Sequence, residues 1–166
     1  MLVVNASNIK KDWNWLQDQN NAFGARLQNK SNNYALLAVQ GPKADALMQT
    51  LCTLDTAQQK SFTIAQTTVA GVSDVWVAKT GYTGAGGVEL YIPTQYAHMV
   101  WNALLEKGKI HNIQPIGLAA RDTLRLEMGY CLYGHELSDA TSPIAARLAW
   151  CTDFSKTFVG DSPIKK

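Results

Sequence analysis

Between residues 34 and 116 the sequence alternates short apolar runs with longer amphipathic stretches, and this order restricts the fold more than any other feature. Tyr34-Ala35-Leu36-Leu37-Ala38-Val39-Gln40 reads as an apolar strand stopped by Gly41-Pro42. A proline at a first helical position suits a helix over 43–51, because its missing N–H would have no partner there anyway. Residues 62–69 alternate loosely and 75–79 are apolar, so both read as strands. A glycine-rich loop over 81–87 leads into a strand at 88–92. Pro93 then precedes a helix over 94–106, with Tyr96, Met99, Val100 and Leu104 near one face. Residues 110–116, short and apolar around Pro115, fit an edge strand, where a proline costs no ladder hydrogen bond. The order strand, helix, strands, helix, strand predicts an α+β fold: a split βαβ, ferredoxin-like antiparallel sheet with helices.

The flanks close less well. Leu2-Val3-Val4 reads as a strand ending at Asn5. Ser7 or Asn8 is placed to cap a helix running to about Asn20, with Ile9, Trp13 and Leu16 on its apolar face. Residues 27–33 are a polar loop. Gly117 opens a helix that Gly129 ends, and beyond Tyr130 the chain is irregular, with a turn at Ser142-Pro143. The expected organisation is therefore a strand and helix of an incomplete neighbouring domain over 1–33, the ferredoxin-like domain over 34–116, and a return to the incomplete domain over 117–166. A chain that starts inside a strand reads as part of something longer.

Composition excludes several functions. At 166 residues, 46% hydrophobic and 17% charged, this is a globular chain with enough apolar material for a core. A net charge of +2, with lysines scattered as Lys10-Lys11, Lys107 and Lys109, and Lys165-Lys166, argues against nucleic acid. Cys52, Cys131 and Cys151 are odd in number and widely spaced, which gives no disulfide framework and fits thiols in the cytoplasm. His98, His111 and His135 have no zinc spacing. No apolar run approaches the ~18 residues of a membrane-spanning helix.

Three local patterns carry chemistry. Gly81-Tyr82-Thr83-Gly84-Ala85-Gly86-Gly87-Val88-Glu89-Leu90 has four glycines in seven residues, so its backbone can turn tightly or approach a ligand. It lacks the lysine of a phosphate loop and leads into a strand. Glu89 interrupts an apolar strand, facing either solvent or a ligand with two adjacent N–H donors, which a carboxylate accepts at once. The second pattern runs from Leu118 to Tyr130. Arg121 and Arg125, four apart, share a helical face and form either a salt-bridged surface or a fork for a carboxylate or ring carbonyl. The third, Tyr130-Cys131-Leu132-Tyr133-Gly134-His135-Glu136-Leu137, offers an acid/base pair in His135 and Glu136, but without a positioned partner a structural histidine is the simpler reading.

Taken in order, these segments resemble the glycine cleavage system T-protein (aminomethyltransferase) family. The resemblance rests on Leu2-Val3-Val4-Asn5-Ala6, Ala35 through Gly41-Pro42, Gly81-Tyr82-Thr83-Gly84 with Gly87-Val88-Glu89, and above all Gly117-Leu118-Ala119-Ala120-Arg121-Asp122-Thr123-Leu124-Arg125-Leu126-Glu127 followed by Gly129 to Gly134. Thr141-Ser142-Pro143-Ile144, Trp150 and Phe158-Val159-Gly160 continue it. It implies the folate-binding aminomethyltransferase fold and a reaction in which a lipoyl-bearing carrier, the H-protein, presents an aminomethyl group. The methylene carbon passes to tetrahydrofolate and ammonia leaves.

By the same resemblance Glu89 grips the amino edge of the pterin, Tyr82 lines that pocket, Asn5 faces the folate, Arg121 is the folate-site arginine and Tyr130 forms pocket wall. No catalytic residue is expected in this chain, since the family's aspartate belongs to a Gly-Gly-x-x-Asp-Asp region upstream of the Val-Val-Asn strand. The chain reads as a central fragment, inactive alone, without that region or the carboxy-terminal domain. Ala85 stands where the family often has glutamate, and Ala145-Ala146-Arg147 where it tends to an acidic residue and a glycine. The alternatives are the folate domain of a sarcosine or dimethylglycine demethylase, a folate-binding iron–sulfur assembly factor, and an interaction module with no small ligand.

Overall fold

The computed structural model describes residues 1–164; the Lys165-Lys166 pair lies outside the described residues. The chain forms two compact units, Met1–Leu124 and the segment from Arg125 onward, and each is described by itself.

The first unit is built on a four-stranded antiparallel sheet of β1 (Tyr34–Gln40), β2 (Ile64–Val69), β3 (Val72–Ala78) and β4 (Gly87–Pro93), in the order β1-β4-β3-β2. Its helices are α1 (Ile9–Asn20), α2 (Ala44–Met48) and α3 (Ala97–Gly108), and α4 (Leu118–Glu127) begins within it. The α+β antiparallel architecture expected from the sequence is present. The last strand is inserted between the first and the third, so β4 is hydrogen-bonded on both sides.

Side chains alternate across a strand, and the alternation on β4 divides the sheet into two unlike faces. Val88, Leu90 and Ile92 are fully buried and join Val39, Val75 and Val77 against Leu47 and Met48 of α2 and Val100 and Leu104 of α3. Glu89 and Tyr91 point to the opposite face. The register sets Ala38 and Ala78 on either side of Glu89, and Leu36 and Trp76 on either side of Tyr91. Two alanines thus flank the carboxylate, leaving room around it.

One polar contact ties the helical layer to the sheet. Asp45 of α2 accepts from Lys79 Nζ at 2.6 and 2.8 Å and from the buried Thr56 hydroxyl at 2.7 Å. Burial pushes the Asp45 carboxyl up, but the bonds from Lys79 and Thr56 and the lysine charge together hold it below its ordinary value. A carboxyl depressed in the folded state stabilises above its unfolded pKa, and that contribution is lost as pH falls through the folded value. Asp45→Asn is therefore expected to lower stability at pH 7 and to flatten the loss of stability below about pH 4. Urea unfolding at pH 7 and pH 3 checks it; an unchanged pH dependence would remove Asp45 from the acid response.

Four expectations are corrected. Leu2-Val3-Val4 is not a strand: the segment has no regular structure and Leu2 is 73% exposed. Its backbone groups find no ladder among the described residues, and an apolar run without one cannot stay a strand. Residues 110–116 are not an edge strand either. Lys109–His111 is a 3-10 turn, and Asn112 takes a left-handed φ of 59°, which breaks an extended path. Ile113 instead packs against Gly108, where an added Cβ would lie 2.5 Å from its side chain. Neither Ser7 nor Asn8 caps α1 through its side chain; Ala6–Asn8 forms a 3-10 turn, with the Asn8 N–H donating to the Asn5 carbonyl at 2.9 Å. Lastly, β3 begins at Val72 rather than 75, because Ala70 and Gly71, with φ of 52° and 81°, make a two-residue hairpin turn.

Candidate functional site

The segment between Ala78 and Gly87 joins β3 to β4 and carries Tyr82 on its way to Glu89. Gly84, Gly86 and Gly87 have φ of 67°, 76° and 121°, a path that side-chain-bearing residues rarely take. The Gly41 N–H donates to Gly86 O at 3.0 Å, tying the far end of the loop to the end of β1.

Glu89 is half-buried on the sheet face away from α2 and α3. Its Oε2 accepts a short hydrogen bond from the Thr80 hydroxyl. Among the described residues no cation pairs with Glu89 and no donor reaches its Oε1. Met1, Val3, Phe62, Thr63, Ile64, Ala78, Thr80 and Tyr91 line a shallow cavity of about 390 Å³ with it. A second surface recess, about 380 Å³ along Gly71–Asp74, Gln95 and Met99, contains none of the expected site residues. Tyr91 beside Glu89 is pushed above its ordinary pKa by burial and by the carboxylate charge, so it stays a neutral phenol.

Tyr82 and Arg121 meet. The Arg121 guanidinium carbon lies 4.9 Å from the Tyr82 ring centroid, a cation–π contact between the glycine loop and α4. A flat cation on an aromatic face leaves the guanidinium edge, with its N–H donors, directed sideways.

Two other expected residues are placed differently. Asn5 is exposed in the segment before α1, and its carbonyl accepts from Asn8. Tyr130 belongs to the second unit, where it is 38% exposed and its carbonyl accepts from Arg125 Nη1 at 3.1 Å. Arg125, 2% exposed, donates from the same nitrogen to Glu136 at 2.7 Å, and Glu136 also accepts from the Leu132 N–H at 3.0 Å. That backbone bond first, and then the arginine, hold the Glu136 carboxyl below its ordinary value. Arg125 and Glu136 are thus a structural pair, and His135, beside them, is exposed.

The sequence reading did not single out Thr80 or Gln40. Thr80 is a loop hydroxyl whose partner is nine residues on. Gln40 ends β1 just before Gly41-Pro42, and a polar residue closing an apolar strand was the one local signal there.

The family model described as the GCVT N-terminal domain matches residues 1–156, and the chain belongs to that family. The aminomethyltransferase of Flavobacterium psychrophilum is 51% identical over all of this chain and 46% of its own length; that of Porphyromonas gingivalis is 52% identical over all of this chain and 45% of its own. A crystal structure of glycine cleavage system aminomethyltransferase T from Bartonella henselae is similar at TM-score 0.78 and 30% identity, over 97% of this chain and 43% of that one. The chain thus spans about half the length of the curated relatives it matches, and the T-protein resemblance read from its motifs is to this same family.

Proposed function

We propose that this chain supplies the pterin-reading part of an aminomethyltransferase of the glycine cleavage system. The observation that carries the reading is Glu89: a half-buried carboxylate with no cation beside it among the described residues, one oxygen oriented by Thr80, and alanines on both neighbouring strands. A pterin presents a ring N–H and a 2-amino group side by side. A carboxylate offers four acceptor positions, so it takes both donors while Thr80 keeps one. Bonds to an ionised acceptor are about twice as strong as neutral ones. Arg121 on Tyr82 adds a donor fork and an aromatic surface for the same flat ligand, and Asn5 and Tyr130 are assigned to the ligand's surroundings.

In the whole protein the ligand is tetrahydrofolate, the co-substrate. The partner is a lipoyl-bearing H-protein carrying an aminomethyl group, whose methylene carbon is transferred with release of ammonia. Residues 1–33 and 117–166 serve a domain adjoining the one at 34–116. The aminomethyltransferase names of the relatives support this reaction over that of a demethylase. Cys52, Cys131 and Cys151 form no disulfide among the described residues, which suits the cytoplasm, where we place the protein.

Calorimetric titration of the chain with tetrahydrofolate tests the reading. Saturable binding tighter than about 1 mM is the expected result, equivalent to roughly 4 kcal/mol of binding free energy. Absence of saturable heat at millimolar ligand would overturn pterin recognition by this chain.

A further inference from the structure

Tyr82 lies within, and Glu89 just beyond, a glycine-rich loop, and such a loop does not hold one path unaided. One side chain from another strand reaches into it. Gln40 Nε2 donates to Thr80 O at 3.3 Å, to Val88 O at 3.0 Å and to Val39 O at 3.3 Å, while its Oε1 accepts from the Thr83 hydroxyl at 3.1 Å. Thr80 is near the start of the loop, Thr83 near its middle, and Val88 lies just past its end in β4. Three carbonyls around one end of the amide and a hydroxyl at the other also fix which way round it sits, since carbonyls can only accept.

The fit is close on both sides. A Cβ added to Gly81 would sit 1.9 Å from Gln40 Oε1, so the loop backbone passes directly over the amide. Gln40 is opposite Gly87 in the β1–β4 register, which puts its side chain on the same sheet face as Glu89. Through Thr80 the chain of contacts ends on the Glu89 carboxylate.

We infer that Gln40 is a positioning residue for ligand recognition: it brackets the β3–β4 loop between Thr80 and Val88, so that Thr80 meets Glu89 and Tyr82 is presented in one orientation. The inference rests on the folate reading for its ligand, but the bracket itself is a property of the loop. Gln40 touches no ligand in this account. It acts by removing alternative loop paths before binding, which lowers the ordering cost of association.

Two measurements on the whole chain decide it. Gln40→Leu keeps the side-chain size and loses all four hydrogen bonds. Amide exchange followed by NMR is expected to speed up by about tenfold or more at Gly84 to Gly87, the equivalent of one lost hydrogen bond, while the β2–β3 amides are unchanged. Thr83→Val, which removes the Oε1 partner together with the acceptor of the Ala85 N–H, gives a smaller effect at Gly84, Gly86 and Gly87, read apart from Ala85, and serves if Gln40→Leu does not fold. Unchanged loop exchange in both variants would overturn the bracket. The second measurement is a double-mutant cycle in tetrahydrofolate titrations. If Gln40 acts through Glu89, Gln40→Leu weakens binding several-fold in the wild-type background and has little further effect in Glu89→Gln, whereas a general structural role gives the same factor in both. If the wild-type chain shows no folate binding, the functional reading fails while the exchange data still decide the bracket.

Discussion

Glu89→Gln is expected to weaken tetrahydrofolate binding by about 10- to 100-fold while leaving the urea unfolding midpoint essentially where it was. A hydrogen bond to a charged group contributes about 1.5–3 kcal/mol, and each 1.4 kcal/mol is a factor of ten in affinity. The substitution is nearly isosteric, so packing between Ala38 and Ala78 is preserved. The amide keeps one oxygen, which Thr80 can still reach. Its other end becomes an NH₂ facing the N–H edge of the ligand, so donor meets donor. Glu89 pairs with no cation among the described residues, so its loss strands no buried charge, and this separates binding from stability. Titration calorimetry measures the first and urea unfolding the second. Equal affinity in the variant and the wild type would detach Glu89 from recognition.

Gly87→Ala should give the largest loss of stability among the changes considered, about 2–5 kcal/mol by urea unfolding. Two costs add. A φ of 121° lies where only glycine is at ease, and a Cβ built there would be 2.2 Å from Val39 O and 2.8 Å from Gln40 Cα. Both contacts are backbone of β1, which cannot swing aside as a side-chain tip can, so the first residues of the β1–β4 ladder must separate. Gly86→Ala is the control. Its φ is 76° and nothing lies within 4 Å of the added carbon, so it carries only the left-handed penalty of about 1–2 kcal/mol. If the two substitutions cost the same, close approach of β1 and β4 is not what requires the glycine.

What could be read in advance followed from local pattern. Tyr34–Gln40, the Gly41-Pro42 stop, the strand around Val88–Ile92 and helices α1, α3 and α4 all announce themselves through periodicity and breakers, and the structure has them. The errors arose where an apolar run needed a partner. Leu2-Val3-Val4 has the right residues for a strand but nothing among the described residues to pair with, and within 110–116 Ile113 packs on Gly108 rather than extending. The early start of β3 was hidden by Ala70, a residue seldom found at positive φ. Arg125 illustrates the limit for the site: its spacing from Arg121 is visible in the sequence, but its burial against Glu136 depends on how the chain returns after Gly129. Gln40 was legible as a strand end and nothing more, since its partners across the loop, Thr80, Thr83 and Val88, are 40 to 48 residues away and chosen by topology.

The insertion of β4 between β1 and β3 also dictates an order of events. Leu37 sits opposite Leu90, so β1 has no neighbour among the described strands until β4 has been made. The β2–β3 hairpin closes through two residues and can assemble early, whereas closing so long a segment is slow. A nascent β1 therefore leaves the ribosome as an apolar ribbon without the partner it has here, and the exposure of that edge to chaperones or to aggregation lasts until Gly87–Pro93 arrives to zip it in.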